Sequence, residues 1–81
     1  MQVVVQKWEE SERGWGVRPD GYSIHPDKAA RDRYIDAYWE DMPDSVPDEY
    51  SRPCGSPYLS TVEKVNFEGK DGIRFWENNY P

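Results

Sequence analysis

The chain has 81 residues, the size of one domain, and ten basic against sixteen acidic residues give it a net charge of −6 at pH 7. This acidity argues against direct binding to nucleic acid and against anionic membrane surfaces. A single cysteine excludes an internal disulfide and a multi-cysteine zinc site, so we expect a reducing, cytoplasmic location. We also expect no signal peptide and no membrane span, because no apolar run is long enough.

The first third of the chain predicts two strands. Gln2 to Trp8 is rich in β-branched residues, which is typical of a strand. Residues 9–16 are polar and contain glycine, so we expect a loop or a wide hairpin turn there. Pro19-Asp20-Gly21 is a tight-turn signature, since proline presets φ and glycine accepts a positive φ. The turn predicts a hairpin or an irregular second strand that includes Tyr22 to His25.

A helix is predicted to begin at Pro26 and to end near Met42, because proline suits the first helical position and Pro43 prevents continuation. Asp27 suits the positive end of the helix dipole. At 100° per residue, five apolar side chains share an arc of about 140° that we assign to the core. They are Tyr34, Ile35, Tyr38, Trp39 and Met42.

Two polar residues near the helix start need separate roles. Arg31 falls in the same arc as the core side chains, so we expect the first turn to leave the core. His25 precedes a proline, where it is extended and positioned to cap the helix. We therefore assign His25 a structural role.

The second half of the chain predicts a long loop and two more strands. Residues 43–57 contain four prolines and a glycine, so we expect a proline-rich loop. Tyr58 to Phe67 and Ile73 to Trp76 have strand patterns, and Gly69-Lys70-Asp71-Gly72 predicts a hairpin turn between them, with Asp71-Gly72 at its centre. Residues 78–81 form a tail.

These elements predict a single α+β domain of residues 1–81 with the order β-β-α-β-β. An antiparallel sheet of three or four strands carries one amphipathic helix on a face. The helix core side chains should then meet the apolar residues of the strands, which are Val3, Val5, Val62, Val65, Ile73 and Phe75.

One segment is chemically distinct: residues 36–49 hold six carboxylates and no Lys or Arg, as many negative charges as the chain's whole net charge. Asp32, Asp36 and Glu40 are spaced to form a stripe along the helix. Glu40 and Asp41 also lie at the helix C-terminus, where each carboxylate costs about 0.3–1 kcal/mol. The segment is either a solvated face relieved by Arg52 or Lys28, or a surface for a partner.

We therefore predict a non-enzymatic binding module whose partner is a protein with a basic surface. The most concrete form is an inhibitor of a basic, nucleic-acid-handling enzyme, of the immunity or phage anti-defence (anti-CRISPR) type. Carboxylates would steer the partner and aromatic side chains would anchor it. The predicted partner-binding residues are Asp36, Trp39, Glu40, Asp41, Asp44, Asp48, Glu49 and Tyr50, with Tyr58 as a further anchor. No cofactor, metal site or catalytic residue is predicted.

Two alternatives remain open. The first is an accessory or oligomerising protein that pairs through the edge strands Gln2 to Trp8 or Ile73 to Trp76, so the chain is either a monomer or a homodimer. The second is a small enzyme that uses Cys54, with Arg52 lowering the pKa of the thiol. Against the enzyme, we expect Cys54 to be a buried apolar filler.

Overall fold

Four strands and a helix make up the described part of the chain, in the order β1 (Gln2–Glu12), β2 (Gly16–His25), α1 (Lys28–Asp41), β3 (Glu49–Thr61) and β4 (Ile73–Phe75). The structure is a computed structural model, and it describes residues 1–12, 14, 16–43, 45, 47 and 49–76. The strands form one antiparallel sheet in the spatial order β3-β1-β2-β4. The predicted α+β class and element order are confirmed.

The first hairpin is longer than the sequence predicted. The loop or wide hairpin turn predicted for residues 9–16 is wrong for residues 9–12, which belong to β1, and β2 begins at Gly16. Pro19-Asp20-Gly21 is not a turn, since β2 passes through it, and of the two predicted alternatives the irregular second strand is confirmed. Lys7 pairs with Tyr22 but Glu9 pairs with Pro19, which leaves a β-bulge opposite Trp8. Gly21 has a φ of 81°, so the residue that signals a turn accommodates a bulge instead.

The proline-rich loop predicted for residues 43–57 is wrong in its second half, because β3 begins at Glu49. β3 is an edge strand, where proline is tolerated since one side of the strand has no hydrogen-bonding neighbour. β3 also contains a bulge, because Val5 pairs with Tyr58 while Lys7 pairs with Cys54. The Gln6 side-chain amide fills this gap by donating to the carbonyl oxygens of Cys54 and Gly55, both at 3.1 Å.

Residues 62–72 cross from one edge of the sheet to the other. The strand predicted for Tyr58 to Phe67 ends at Thr61, and no hairpin joins β3 to β4, because β4 pairs with β2 at the opposite edge. The turn in this segment is Phe67–Lys70, where Lys70 N–H donates to Phe67 O at 2.9 Å. Glu68 and Gly69 have positive φ values of 54° and 77°, so Asp71-Gly72 is not the turn centre.

The crossing segment covers part of the sheet face that points away from α1. Its partly buried side chains pack on a buried apolar cluster of the sheet, with Ile73 of β4 beside them. The covering side chains are Val62, Val65 and Phe67, and the buried cluster is Val3, Val5 and Ile24.

Helix α1 packs on the other face. Its N-cap is Asp27, whose carboxylate accepts from Ala30 N–H at 2.8 Å, and its C-cap is Met42. The predicted end at Met42 is confirmed, and the predicted start at Pro26 is two residues early. His25 does not cap the helix, because that position belongs to Asp27. The helix start does not leave the core either, since Ala30 is buried and Arg31 is held inward.

The helix meets different sheet residues from those predicted. Tyr34 and Tyr38 lie edge-on to the Trp8 ring, with centroids 6.3 and 5.0 Å away. Arg31 donates to the Gln6 side-chain oxygen at 3.0 and 2.6 Å. Residues at even positions of β1 therefore face the helix. The predicted packing of the helix against Val3, Val5, Val62, Val65, Ile73 and Phe75 is wrong, because Val3 and Val5 point to the opposite face.

Candidate functional site

The end of α1 and the start of β3 meet at one place on the surface. The rings of Trp39 and Tyr50 are in edge contact with centroids 6.3 Å apart. The Tyr38 hydroxyl donates to the Ser51 carbonyl oxygen, which attaches the helix to β3. Predicted site residues from two separate elements are thus brought together. Asp44 and Asp48 of the predicted site lie outside the described residues.

Trp39 is a surface residue rather than a core residue. It is 40% exposed, so it lies at the boundary of the predicted core face and not inside it, whereas Ile35 is buried and Tyr38 is half-buried. Its ring lies edge-on to Tyr38, at 5.2 Å, and Tyr38 in turn contacts the buried Trp8. This row of rings supports Trp39 from the core outward, so an exposed aromatic surface is held in a fixed orientation.

The carboxylates around Trp39 lack direct ion-pair partners among the described residues. Asp36, Glu40, Asp41 and Glu49 are all exposed, and none forms an ion pair with another residue that the structure describes. The last turn of α1 contains no basic residue. Within this part of the chain, no ion pair relieves the unfavourable charge at the helix C-terminus, although Lys70 lines the same cavity as Asp41.

The basic residues that were candidates to neutralise this segment form their ion pairs with carboxylates outside it. Lys28 and Arg31 both pair with Asp32, at 3.5 and 2.8 Å, and the hydrogen bond from Arg31 lowers the pKa of Asp32. Arg52 pairs with Glu9 of the neighbouring strand at 2.6 Å and also donates to the Tyr50 hydroxyl at 3.5 Å. The acidic stripe is therefore compensated at its first residue, Asp32, and uncompensated towards the helix end.

Cys54 and His25 do not form a catalytic pair. Cys54 is exposed, so its predicted role as a buried filler is wrong. Hydrogen bonding to Glu9 raises the pKa of the Cys54 thiol, which is opposite to the lowering considered for Arg52. The His25 ring is fully buried under the helix, on the other side of the sheet, with both nitrogens in hydrogen bonds to Ser23 and Asp71.

Sequence reasoning missed the polar character of the layer between helix and sheet. Gln6, Asp20, Ser23 and His25 are all buried there. Asp20 pairs with Arg74 of β4 at 3.3 Å, and the Arg74 guanidinium lies over the Trp8 ring at 4.9 Å. The alternation of Gln6 and Trp8 was visible in the sequence, but the partners of these side chains come from distant elements.

Within the described residues, no helix is long and apolar enough to cross a membrane. In the same part of the chain no group of three or more His, Cys, Asp and Glu side chains is arranged to hold a metal ion. Comparison with protein-family models, with curated proteins and with solved structures gives no match for this chain.

Proposed function

We propose that the protein is a non-enzymatic binding module that attaches to a basic patch on a partner protein through an acidic–aromatic surface. This surface consists of Asp36, Trp39, Glu40, Asp41, Glu49 and Tyr50. The observation that carries the proposal is the exposed Trp39 ring, which is supported from the core and lies at a helix end whose carboxylates form no ion pair among the described residues.

The energetics of the helix end favour a partner there. Glu40 and Asp41 each cost about 0.3–1 kcal/mol at a helix C-terminus, and Asp36 repels Glu40 four residues later. Stability lost without local compensation is common at functional surfaces. A basic partner supplies the missing counter-charge and is attracted from a distance, which raises the association rate. An ordered aromatic ring supplies the contact energy that surface charges lack.

The finer proposal is that the partner handles nucleic acid and that the chain inhibits it, as immunity and phage anti-defence proteins do. A groove that binds phosphates offers closely spaced Lys and Arg side chains, which exposed carboxylates can occupy. A net charge of −6 is modest for a complete mimic of a duplex. We therefore assign specificity to Trp39 and Tyr50, with the carboxylates acting mainly in attraction.

The test is a double charge reversal with a matched control. Glu40→Lys combined with Asp41→Lys should abolish retention of the partner from an extract of the source cells. Glu63→Lys combined with Glu68→Lys changes the net charge equally at two other exposed acids, and it should leave retention intact. A protein that the wild type and the control retain, but that the Glu40→Lys, Asp41→Lys variant does not, is then purified. Its Kd is measured for the wild type and for each variant. Equal affinity for all variants would exclude the acidic–aromatic surface.

Two further readouts separate binding from folding and from inhibition. The reversed helix end should be more stable, by about 1 kcal/mol, because the substitutions favour the helix dipole. Loss of binding together with a gain in stability cannot come from unfolding. For the inhibitor, duplex DNA or RNA should compete with the chain for the purified partner; a partner that binds both at once would refute the groove-blocking proposal.

Pairing through edge strands is less favoured by the geometry. β1 is hydrogen-bonded on both sides, so Gln2 to Trp8 is not an edge and that part of the prediction is wrong. β4 is an edge strand but contains three residues, Ile73–Phe75. β3 carries Pro53, Pro57 and a bulge, which are features that protect an edge from pairing with another chain.

A further inference from the structure

The sheet face that points away from α1 is covered over only part of its length. Residues 62–67 lie over Val3, Val5 and Ile24, while the strand pairs beyond Lys7 have no layer above them in the described part of the chain. We call this uncovered area the open face. Its apolar side chains are Val17, Tyr22, Tyr58 and Phe75, all of them exposed.

The open face is a shaped surface. A concavity of about 400 Å³ lies on it, with Tyr22, Tyr58 and Val17 on its walls and Cys54 beside them. Tyr22 and Phe75 stack across β2 and β4 with centroids 4.9 Å apart and ring planes 19° apart. Contiguous exposed apolar side chains on a sheet mark a surface that another layer covers.

The charges of this face are locally balanced, which distinguishes it from the helix side. Glu9 and Arg52 form an ion pair across β1 and β3. Lys7 stands beside the paired residues Tyr22 and Cys54 and adds one positive charge. The uncompensated carboxylates of α1 lie on the opposite side of the sheet. A chain of net charge −6 can therefore approach a like-charged chain with least repulsion through this face.

We propose that the open face binds a second copy of this chain. The two sheets stack face to face, about 10 Å apart, and both helices lie on the outside of a four-layer assembly. This arrangement buries Tyr22 and Tyr58 and leaves Trp39 and the α1 carboxylates of both copies exposed. The proposal is independent of the proposed function, but the dimer would present two copies of that surface to a partner.

The size of the open face indicates a reversible dimer. Three strands about 4.8 Å apart, uncovered over about six residues of β1, give an area of roughly 15 by 20 Å before the side chains are added. A standard protein interface buries about 800 Å² on each partner, and weaker complexes bury less. The open face, at roughly 300 Å² before the side chains are added, is smaller than a standard interface, so the dimer should be weak and should dissociate on dilution.

Adjacent residues of β3 provide a matched pair of variants. Tyr58 pairs with Val5 and belongs to the open face, whereas its neighbour Leu59 pairs with Val4 and points to the helix side. Both are exposed, at 46% and 64%. Tyr58→Glu and Leu59→Glu add the same charge on opposite faces. In sedimentation equilibrium up to about 1 mM chain, the wild type and Leu59→Glu should dimerise, and Tyr58→Glu should weaken the dimer at least about tenfold.

Cys54 gives an independent readout without any substitution. It lies on the open face, and alkylation of its thiol by iodoacetamide reports whether that face is covered. The alkylation rate of the wild type should fall as the chain concentration passes the dimer Kd. In Tyr58→Glu, the same fall should occur only at a concentration at least about tenfold higher. Circular dichroism checks that both variants retain the fold.

Three results would overturn the proposal. The first is a wild-type chain that stays monomeric at about 1 mM. The second is a dimer that Tyr58→Glu and Leu59→Glu weaken equally, because its interface then lies elsewhere. The third is a dimer in which Cys54 is alkylated as fast as in the monomer. None of these results bears on the acidic–aromatic surface, so the two proposals fail separately.

Discussion

At the scale of single residues, His25 is the most constrained side chain under the helix. Trp8 Nε1–H donates to the Ser23 hydroxyl at 2.8 Å, and the hydroxyl donates to His25 Nε2 at 2.7 Å. The Nδ1–H then donates to the Asp71 carbonyl oxygen at 2.8 Å. Because the Asp71 carbonyl can only accept, Nδ1 carries a proton, and in the neutral ring that burial favours Nε2 accepts from Ser23. Gly72 approaches the ring so closely that a Cβ there would overlap it.

This network predicts acid sensitivity. Burial lowers the pKa of His25, and Arg31 on α1 lowers it further, although the Asp71 carbonyl opposes the shift. The unfolded chain then binds a proton at a higher pH than the folded chain does. The contribution of His25 to the free energy of unfolding is therefore complete above about pH 6.5. It is lost as the pH falls towards the lowered pKa, with a slope of up to about 1.4 kcal/mol per pH unit.

The measurement is urea unfolding between pH 8 and pH 5, with His25→Asn as the comparison. The variant should lose about 1–3 kcal/mol at pH 8, because the network is broken, but its stability should be flat where the wild type declines. The His25 ring is the chain's only imidazole, so its NMR titration reports the pKa directly. Parallel pH profiles, or a His25 that titrates above pH 6.5, would contradict the prediction.

At the scale of the elements, the two neighbouring aromatics of α1 should separate in their effects. Tyr38 contacts Trp8 and attaches the helix to Ser51, so Tyr38→Ala should cost about 3 kcal/mol of unfolding free energy. Trp39→Ala removes a side chain that is 40% exposed and should cost about 1 kcal/mol. The same Trp39 substitution should weaken partner binding at least about tenfold.

Denaturant unfolding of the two variants checks this division, and the partner Kd of Trp39→Ala checks the role of the ring. If Trp39→Ala lowered the free energy of unfolding by more than about 3 kcal/mol, Trp39 would be a core residue and could not be the anchor of the proposed surface. Unchanged binding by a stable Trp39→Ala would remove the anchor directly.

The helix was predictable and β3 was not, for a physical reason. The limits of α1 depend on local chemistry, which Asp27 and Pro43 carry in the sequence itself. Proline in a strand is unfavourable only where both sides of the strand are paired. Whether Pro53 lies in an edge strand depends on the spatial order of the sheet. That order depends on long-range packing, which is also why the β3–β4 hairpin was wrongly predicted.

At the scale of the whole molecule, the sequence located the acidic segment but not its electrostatic state. Finding that Arg52 pairs with Glu9 required the register of β1 against β3. The sequence also did not show which face of the sheet the helix covers, because Val3-Val4-Val5 is apolar on both faces. Only the contacts of Gln6 and Trp8 with α1 decide it, and they leave the open face on the other side.

The two proposed surfaces should respond to salt in opposite directions. Binding of a basic partner to the acidic–aromatic surface depends on attraction between opposite charges, so its Kd should rise between about 50 mM and 500 mM NaCl. Self-association joins two chains of net charge −6 through a nearly neutral apolar face, so salt screens their repulsion and its Kd should fall. Glu40→Lys with Asp41→Lys reduces the net charge to −2 and should flatten both dependences. If salt strengthened partner binding, the acidic–aromatic surface would not be the contact. If salt weakened the dimer, charge pairs and not the apolar open face would hold the two chains together.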